Sequence, residues 1–432
     1  MNTEPNPYET EWIARQNSLP GEAIPWMRRL RQEAMERYRA SGFPTTRLED
    51  WKYTSLKPIL QKGFHFPEPS CIGLDPSDLD ALLIDRRDMP RLVFVNGTLS
   101  RPLSNWQQLP QGVEIASLAT RLAEYPEQVE PCLRARPTTP DHGFAELNRA
   151  LWRDGAFVCF RQETRMPIPV QLLFLSLPSS VPVITQPHTV ILVEAGAEGQ
   201  IIESYATLGD CDHFTNGLTT IFLQHGARLN HLLVQNESHA AYHLATMRVQ
   251  QESASRFVSQ AFSFGGRLTR QDIHLQLGGE EAECDLDGLF VATGRQHTDF
   301  HTWIRHDASH TTSRQHYKGI LDGHGRGVFN GAVLVPQSVR ETQSAQVNNN
   351  LLLTNTAEID TKPQLEIFSN AVQCTHGATV GNLDPVALFY LRSRGVDQEE
   401  ARRLLIKAFA GEILDRIQPQ SVRAWLENRL AF

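Results

Sequence analysis

The sequence predicts a mainly β protein with helical ends. Helical periodicity is confined to the two ends of the chain, and from about residue 156 to about residue 370 it disappears. In its place come short apolar or alternating runs broken by Gly, Asn, Asp, Ser or His, such as His188–Val193, Gly199–Tyr205, Leu229–Val234 and Gly327–Val335. A turn signal followed by a strand returns at Ala197, Ala227, Ser255 and Glu281, a loose period of about 25 to 30 residues. Recurrence of this kind predicts stacked β coils, although a sandwich or jelly roll fits the same pattern. The chain thus divides into an N-terminal helical and mixed domain over 1–155, a β core over 156–382 and a C-terminal helical domain over 383–432.

In chain order, residues 1 to about 62 read as helical. Met27, Leu30, Ala34 and Tyr38 give Trp26–Ser41 one apolar face, and Gly42 and Pro44 stop it. The charged and aromatic run Arg47–Leu56 reads either as a packed surface-to-core transition or as a docking element. Residues 63 to 150 mix strand and helix signals. Arg91–Val95 running into Asn96-Gly97 is a strand with a tight turn, and Phe144–Trp152 a short helix stopped near Gly155. In the β core, Asn348, Asn349 and Asn350 suit hydrogen-bonded ladders between successive coils.

Helices return at Leu383. Asp384 caps the first, Pro385 takes its first helical position, Ala387, Leu388 and Leu391 line one face, and Gly395 ends it. Asp397 and Glu400 form a capping-box-like pair for the second, whose apolar stripe is Ala401, Leu404, Leu405, Ala408 and Phe409, extended by Ile413 and Ile417. A third follows Pro419, with Val422, Trp425, Leu426 and Leu430 apolar. Three short helices after a β body serve either as a cap on its end or as a partner-docking arm.

Bulk composition excludes several function classes. A net charge of −8 argues against a nucleic-acid or anionic-membrane partner, because binding phosphates takes a basic face. No apolar run approaches the roughly 20 residues that span a bilayer. The opening Met1-Asn2-Thr3-Glu4-Pro5 carries no secretory pattern, so the expected compartment is the cytoplasm. Cysteines at 71, 132, 159, 211, 284 and 374 contain no C-x-x-C pair and predict free thiols, mostly buried apolar fillers. No P-loop, dinucleotide fingerprint or nucleophile elbow is present in the sequence.

Histidine is concentrated. Fourteen of the 16 lie between 188 and 376, five of them at 297, 301, 306, 310 and 316. They read either as hydrogen-bonded or exposed strand histidines or as metal ligands. Cys374-Thr375-His376 is sharper. On a strand, residues i and i+2 share a face, so a thiol and an imidazole project together as soft donors suited to iron and sulfide. Two groups cannot close a coordination shell, so such a site needs further ligands. A parallel β-helix carbohydrate-active enzyme using paired carboxylates, with Asp285, Asp287 and Asp299 as candidates, is the rival reading.

The tripeptide lies within Thr361–Ile367, Cys374–Asp384 (CTHGATVGNLD) and Ala387–Gly395 (ALFYLRSRG), a run that closely resembles the SufD family of the SUF iron–sulfur cluster assembly machinery. Arg47–Leu56 (RLEDWKYTSL) looks like the same family, and Ala387–Gly395 looks more like SufD than its paralogue SufB. The resemblance implies a right-handed parallel β-helix core flanked by helical domains. It implies a non-enzymatic scaffold in complex with SufB and the SufC ATPase; charge and hydropathy leave no nucleic acid or membrane partner, and the sequence does not decide whether the isolated chain forms a homodimer. It implies that helices over roughly 384–430 dock SufC, through Leu388, Phe389, Leu391, Leu404, Leu405 and Phe409. It also implies that Cys374 and, above all, His376 lie at the SufB interface and hold iron or a transient iron–sulfur cluster shared with SufB, none being tightly bound in the isolated chain.

Overall fold

The computed structural model describes residues 7–67, 74–84, 89–106, 109–136, 142–418 and 420–429. Met1–Pro5, Cys71, Pro419 and Leu430 of the sequence reading lie outside them. The N-terminal part holds α1 (Pro7–Arg15), α2 (Pro25–Ser41), a 3₁₀ turn at Glu49–Trp51 and α3 (Lys57–Lys62). It continues through β1 (Arg91–Val95), β2 (Thr98–Leu99), β3 (Val113–Ser117), α4 (Leu118–Glu124), α5 (Pro126–Arg134) and α6 (Gly143–Leu151). In α2 the four residues picked from helical spacing, Met27, Leu30, Ala34 and Tyr38, are all buried. Asn96 and Gly97 both take positive φ, which turns β1 back on β2 as an antiparallel hairpin.

Seventeen further strands follow: β4 (Ala156–Phe160), β5 (Val170–Ser176), β6 (Val183–Thr185), β7 (His188–Val193), β8 (Glu198–Thr207), β9 (His213–Leu223), β10 (Arg228–Asn236), β11 (Tyr242–Gln251), β12 (Arg256–Ser263), β13 (Leu268–Leu277), β14 (Glu283–Ala292), β15 (His297–His306), β16 (Thr312–Leu321), β17 (Arg326–Val335), β18 (Thr342–Leu352), β19 (Glu358–Ile367) and β20 (Val372–Gly381). They form two sheets, one in the order β2-β1-β5-β8-β10-β12-β14-β16-β18-β20 and the other β19-β17-β15-β13-β11-β9-β7-β4-β3, with β6 beside β9. From β5 onward each strand pairs in parallel with the strand one coil away, as in the register Phe257↔Cys284↔Ser313↔Ser344. The chain is therefore a parallel β-solenoid, and the sandwich and jelly roll fall away. The N-terminal part also contributes strands to both sheets, since β1 pairs with β5 and β3 with β4. Three helices close the chain: α7 (Pro385–Ser393), α8 (Gln398–Leu414) and α9 (Gln420–Glu427).

The recurring turn has a backbone explanation. A residue in the turn before each of β8, β10, β12, β14, β16 and β18 of the first sheet is left-handed: Gly196, Gly226, Ala254, Glu281, His310 and Glu341. Only the first two are glycine, so the repeat is conformational and hides from a composition search. Turn-to-turn bonds hold these residues, for example Gly226 N–H to Ser253 O and His310 N–H to Arg340 O, both within 3.1 Å.

In-register stacking also organises the interior. Val249, Leu275, Ile304 and Val333 form one apolar column, facing a column of Leu229, Phe257 and Cys284. The interior of the last coils is polar: Gln315, Ser344, Gln346, Asn348 and Asn350 are all buried. The expected asparagine ladder does not form. Each coil has a different residue at those positions, so Asn348 donates to Tyr317 O, Asn349 to Thr379 Oγ1 and Asn350 to Asn348 Oδ1. The outer faces are covered separately. Helices α1, α2 and α6 pack with Phe214, Tyr242 and Leu268 of the second sheet, and α8 and α9 pack with Leu232, Leu289 and Ile320 of the first.

Two substitutions of opposite sense test this packing. A Cβ at Gly288 meets the buried Tyr317 ring at 2.3 Å, so Gly288→Ala is expected to lose about 2 kcal/mol, the scale of an overpacked core. Ala254→Gly is expected to stay within about 0.5 kcal/mol of the parent, because relief of the left-handed turn offsets the freer unfolded chain. Urea denaturation of both variants checks the pair.

Candidate functional site at the open end of the solenoid

Strands β19 and β20 end their sheets, so each has a paired neighbour on one side only. Among the described residues nothing covers the last coil: every residue of β20 is exposed or half-buried. A ten-residue edge strand in this state presents a row of free N–H and C=O groups, which folded proteins ordinarily blunt or cover. Apolar side chains stand at the same rim, with Phe368 63% and Val380 49% exposed.

Cys374 and His376 lie on this strand. They pair in register with Ser344 and Gln346, whose side chains are buried inside the solenoid. Cys374 and His376 therefore continue two interior columns, Cys284–Ser313–Ser344–Cys374 and Leu286–Gln315–Gln346–His376, and cap them at the open mouth. Cys374 is half-buried against the core, and His376 is exposed. Burial pushes the Cys374 thiol up, against a hydrogen bond from the Ser344 backbone. Directly beneath His376, Gln346 is 1% exposed, and neither Nε2 nor Oε1 of its amide has a hydrogen-bond partner among the described residues. Nothing in the sequence marked Gln315 or Gln346, since a glutamine on a strand ordinarily faces solvent.

The other sequence candidates do not converge. His297 meets Thr54 at 2.9 Å, His301 meets Asp299 at 3.0 Å, His306 is interior on Thr311 and Ser313, His310 faces Glu341 and His316 faces Asn349. Among the described residues no group of three or more His, Cys, Asp or Glu is placed to hold a metal ion. Of the rival's carboxylates, Asp285 and Asp287 share one face of β14 but are taken up by arginines, and Asp299 stands apart. Asp285 binds Arg256 and Arg314, Asp287 binds Arg416, and Asp299 lies on the other sheet.

Asp299 belongs instead to the clamp that the Arg47–Leu56 run makes on the solenoid. The fully buried Arg270 guanidinium lies 3.7 Å from the centre of the Trp51 ring and donates to Asp50 O, Asp272 and Asp299. Burial alone raises a carboxyl, yet His301 and Arg270 hold Asp299 down at about 2. Thr54 adds a hydrogen bond to Asp299, and Glu49 pairs with Lys362. The run is thus the packed surface-to-core transition of the two readings, with Trp51 and Thr54 buried.

The C-terminal helices present a second uncovered surface. Asp384 caps α7 through Val386 N–H and Asp397 caps α8 through Glu400 N–H, as their positions predict. Helix α7 buries none of its residues: Val386 is 71%, Phe389 73% and Tyr390 57% exposed, while Leu388 and Leu391 are half-buried. The predicted stripe of α8 needs correcting. Its buried residues are Ala401, Ile406, Ala410, Ile413 and Leu414, with Ile417 beyond the helix end, whereas Leu404 is exposed and Leu405 and Phe409 are half-buried. The helix is apolar on two sides, and 3.6-residue spacing does not say which side meets the body.

A lysine that reading along the strand missed fastens α8. Lys318 of β16 is 2% exposed; its Nζ donates to Phe409 O at 2.8 Å and Glu412 Oε2 at 2.6 Å and sits 4.3 Å from the Phe409 ring centre. Its one sequence signal is a cation inside the apolar end of a strand. Arg416 reinforces the attachment at Asp287, 2.8 Å away. Lys318→Met is expected to speed amide exchange across Gln398–Leu414 by about ten- to a hundredfold, since hydrogen bonds to a charged group are worth about 1.5–3 kcal/mol. Hydrogen–deuterium exchange followed by mass spectrometry reads this directly.

Comparison with known proteins finds likeness over most of the chain. Residues 3–172 match the SufBD protein N-terminal region, and residues 177–409 match the SufBD core domain of the SUF system for FeS cluster assembly. The chain is 33% identical over 406 residues to an iron–sulfur cluster assembly SufBD family protein of Synechocystis, covering 92% of this chain and 89% of that one. It is 31% identical over 403 residues to the iron–sulfur cluster assembly protein SufD of Escherichia coli, covering 92% and 91%. With SufD of Bacillus subtilis it shares 24% over 413 residues, covering 93% and 92%. Among the described residues no helix is long and apolar enough to cross a membrane.

Proposed function

Because the chain belongs to the SufBD family of iron–sulfur cluster assembly proteins, and is SufD-like within it, we propose that it acts as the scaffold subunit that helps build a cluster at an interface with SufB. One observation supports this above the others. A thiol and an imidazole, Cys374 and His376, cap the interior columns at the end of the solenoid where the edge strand, β20, buries none of its residues.

The cluster is cargo in this reading, and its chemistry follows from the donors. A cysteine thiolate and a neutral imidazole both bind iron, and histidine replaces cysteine in some clusters. Two ligands leave the shell open, so the facing SufB edge supplies the rest. The Cys374 thiol loses its proton on binding, which couples loading to pH. Strand pairing between the two open edges would bring the halves together, and a second copy of this chain would use the same edge when SufB is absent.

SufC, in the same reading, docks on the exposed face of α7, with Val386, Phe389 and Tyr390 as anchors and Leu388, Leu391, Leu404 and Leu405 around them. Phe409 is turned toward the solenoid under Lys318 and serves the attachment of α8 rather than the docking face. Motion of a docked ATPase reaches the open coil through Lys318, because Lys318, Asn349 and Thr379 are neighbours across β16, β18 and β20 and Asn349 donates to Thr379 at 2.8 Å.

The site assignment is tested on the assembled complex. His376→Ala is expected to lower iron and acid-labile sulfide in reconstituted complex by about tenfold, the scale of a lost metal-site interaction, and Cys374→Ala by less. Complex that assembles normally and retains parental iron and sulfide in the His376 variant would remove the site and leave only the scaffold role.

A further inference from the structure

Outside the open coil the chain carries a second thiol–imidazole pair, and it has a third member. Cys211 sits in the loop between β8 and β9, half-buried, with its Sγ 3.5 Å from His213 Nδ1. The other nitrogen of that ring, Nε2, is 3.0 Å from Glu237 Oε1. Glu237 is buried and held on every side: Thr215 Oγ1 donates to Oε1 at 2.6 Å, Gln235 Nε2 donates to Oε2 at 3.1 Å, and His243 Nδ1 lies 2.8 Å from Oε2. Thiol, imidazole and orienting carboxylate thus stand in line, the arrangement that activates a cysteine nucleophile.

The scaffold reading uses none of these residues, and a packing role does not explain them. Burial pulls the His213 imidazole down, but hydrogen bonds to Cys211 and Glu237 outweigh it and push the ring up to about 9. A protonated imidazole beside a thiol favours the thiolate, which is the reactive form. Desolvation pushes two buried cysteines elsewhere in the chain away from that form, Cys132 up to about 11 and Cys159 up to about 12. The remaining charged groups around the pair are Lys62 of α3, which binds Asp212, and Asp210, which accepts from Ser238.

We propose that Cys211, His213 and Glu237 form a reactive-thiol site that attacks the S–S bond of a small disulfide or persulfide. The Cys211 thiolate forms a new Sγ–S bond as the S–S bond of the reagent breaks, and the departing thiolate leaves with the bonding pair. It takes the proton from His213 Nδ1, which leaves a neutral ring whose Nε2–H stays on Glu237. A disulfide leaves a mixed disulfide on Cys211. A persulfide attacked at its terminal sulfur leaves a Cys211 persulfide.

The test uses the full-length folded chain, iodoacetamide and peptide-resolved mass spectrometry. Cys211 is expected to alkylate at least about tenfold faster than glutathione at pH 6, with a rate that changes little up to pH 8, whereas an ordinary thiol loses about tenfold for each unit below its pKa. His213→Gln is expected to restore the steep pH profile. If that variant misfolds, Glu237→Gln, which keeps the size of the side chain, is expected to steepen the profile in the same direction. Separate incubations with oxidised glutathione and with glutathione persulfide distinguish the source, by a glutathionyl group or a single sulfur atom on the Cys211 peptide. Either adduct, lost in the His213 or Glu237 variant, supports the site. Alkylation of Cys211 no faster than glutathione at pH 6, an unchanged profile in both variants, or neither adduct would overturn it.

Discussion

Every coil of a parallel solenoid depends on the next one to complete its hydrogen bonds and to close its interior, and that dependence must end somewhere. At the first coils it is met from within the chain: β1 and β3 extend the two sheets, and α1, α2 and α6 cover an outer face. At the last coil it is not met, because α8 and α9 cover the outer face of the preceding strands and leave β20 bare. The position of the candidate site follows from that asymmetry. Cys374 and His376 are interior residues by register and surface residues only because no further coil lies above them.

Side-chain choice along the interior is consistent with this. The middle coils stack apolar columns, and the polar groups they bury find partners, as His231 does on Glu203 and Ser259. Near the open end the same columns carry Ser313, Gln315, Ser344 and Gln346, and burying such groups is costly unless each finds a partner. The unpartnered amide of Gln346 below His376 is the clearest departure from a purely structural interior. On the flanks, buried charge fixes whole segments: Arg270 holds the N-terminal run and Lys318 holds α8, each through several charge-assisted bonds at once.

Much of this was legible in the sequence for identifiable reasons. Strand existence, the spacing of the coils, the core face of α2 and the caps at Asp384 and Asp397 all depend on near neighbours, so local pattern finds them. The choice between a solenoid and a sandwich depends on which strands pair, which local pattern does not contain, and there the resemblance of two motifs supplied the expectation. The asparagine ladder failed because like residues do not fall on like positions in successive coils. The α8 stripe failed because the helix has two apolar sides. Lys318, Gln346 and Glu237 were invisible for one shared reason: each is polar, and only the three-dimensional fold buries it. Cys374 and His376 were found because their i, i+2 spacing is itself a statement about a shared face.

The open last coil, as the surface a partner completes, can be tested by comparing amide exchange of Val372–Gly381 in the isolated chain and in complex with SufB and SufC. Completion of the solenoid edge predicts that the amides of this strand that point away from β18 exchange readily alone and slow by about a hundredfold or more in the complex, as amides do when they join a stable ladder. Unchanged exchange of this strand in a complex that is otherwise fully assembled would contradict it.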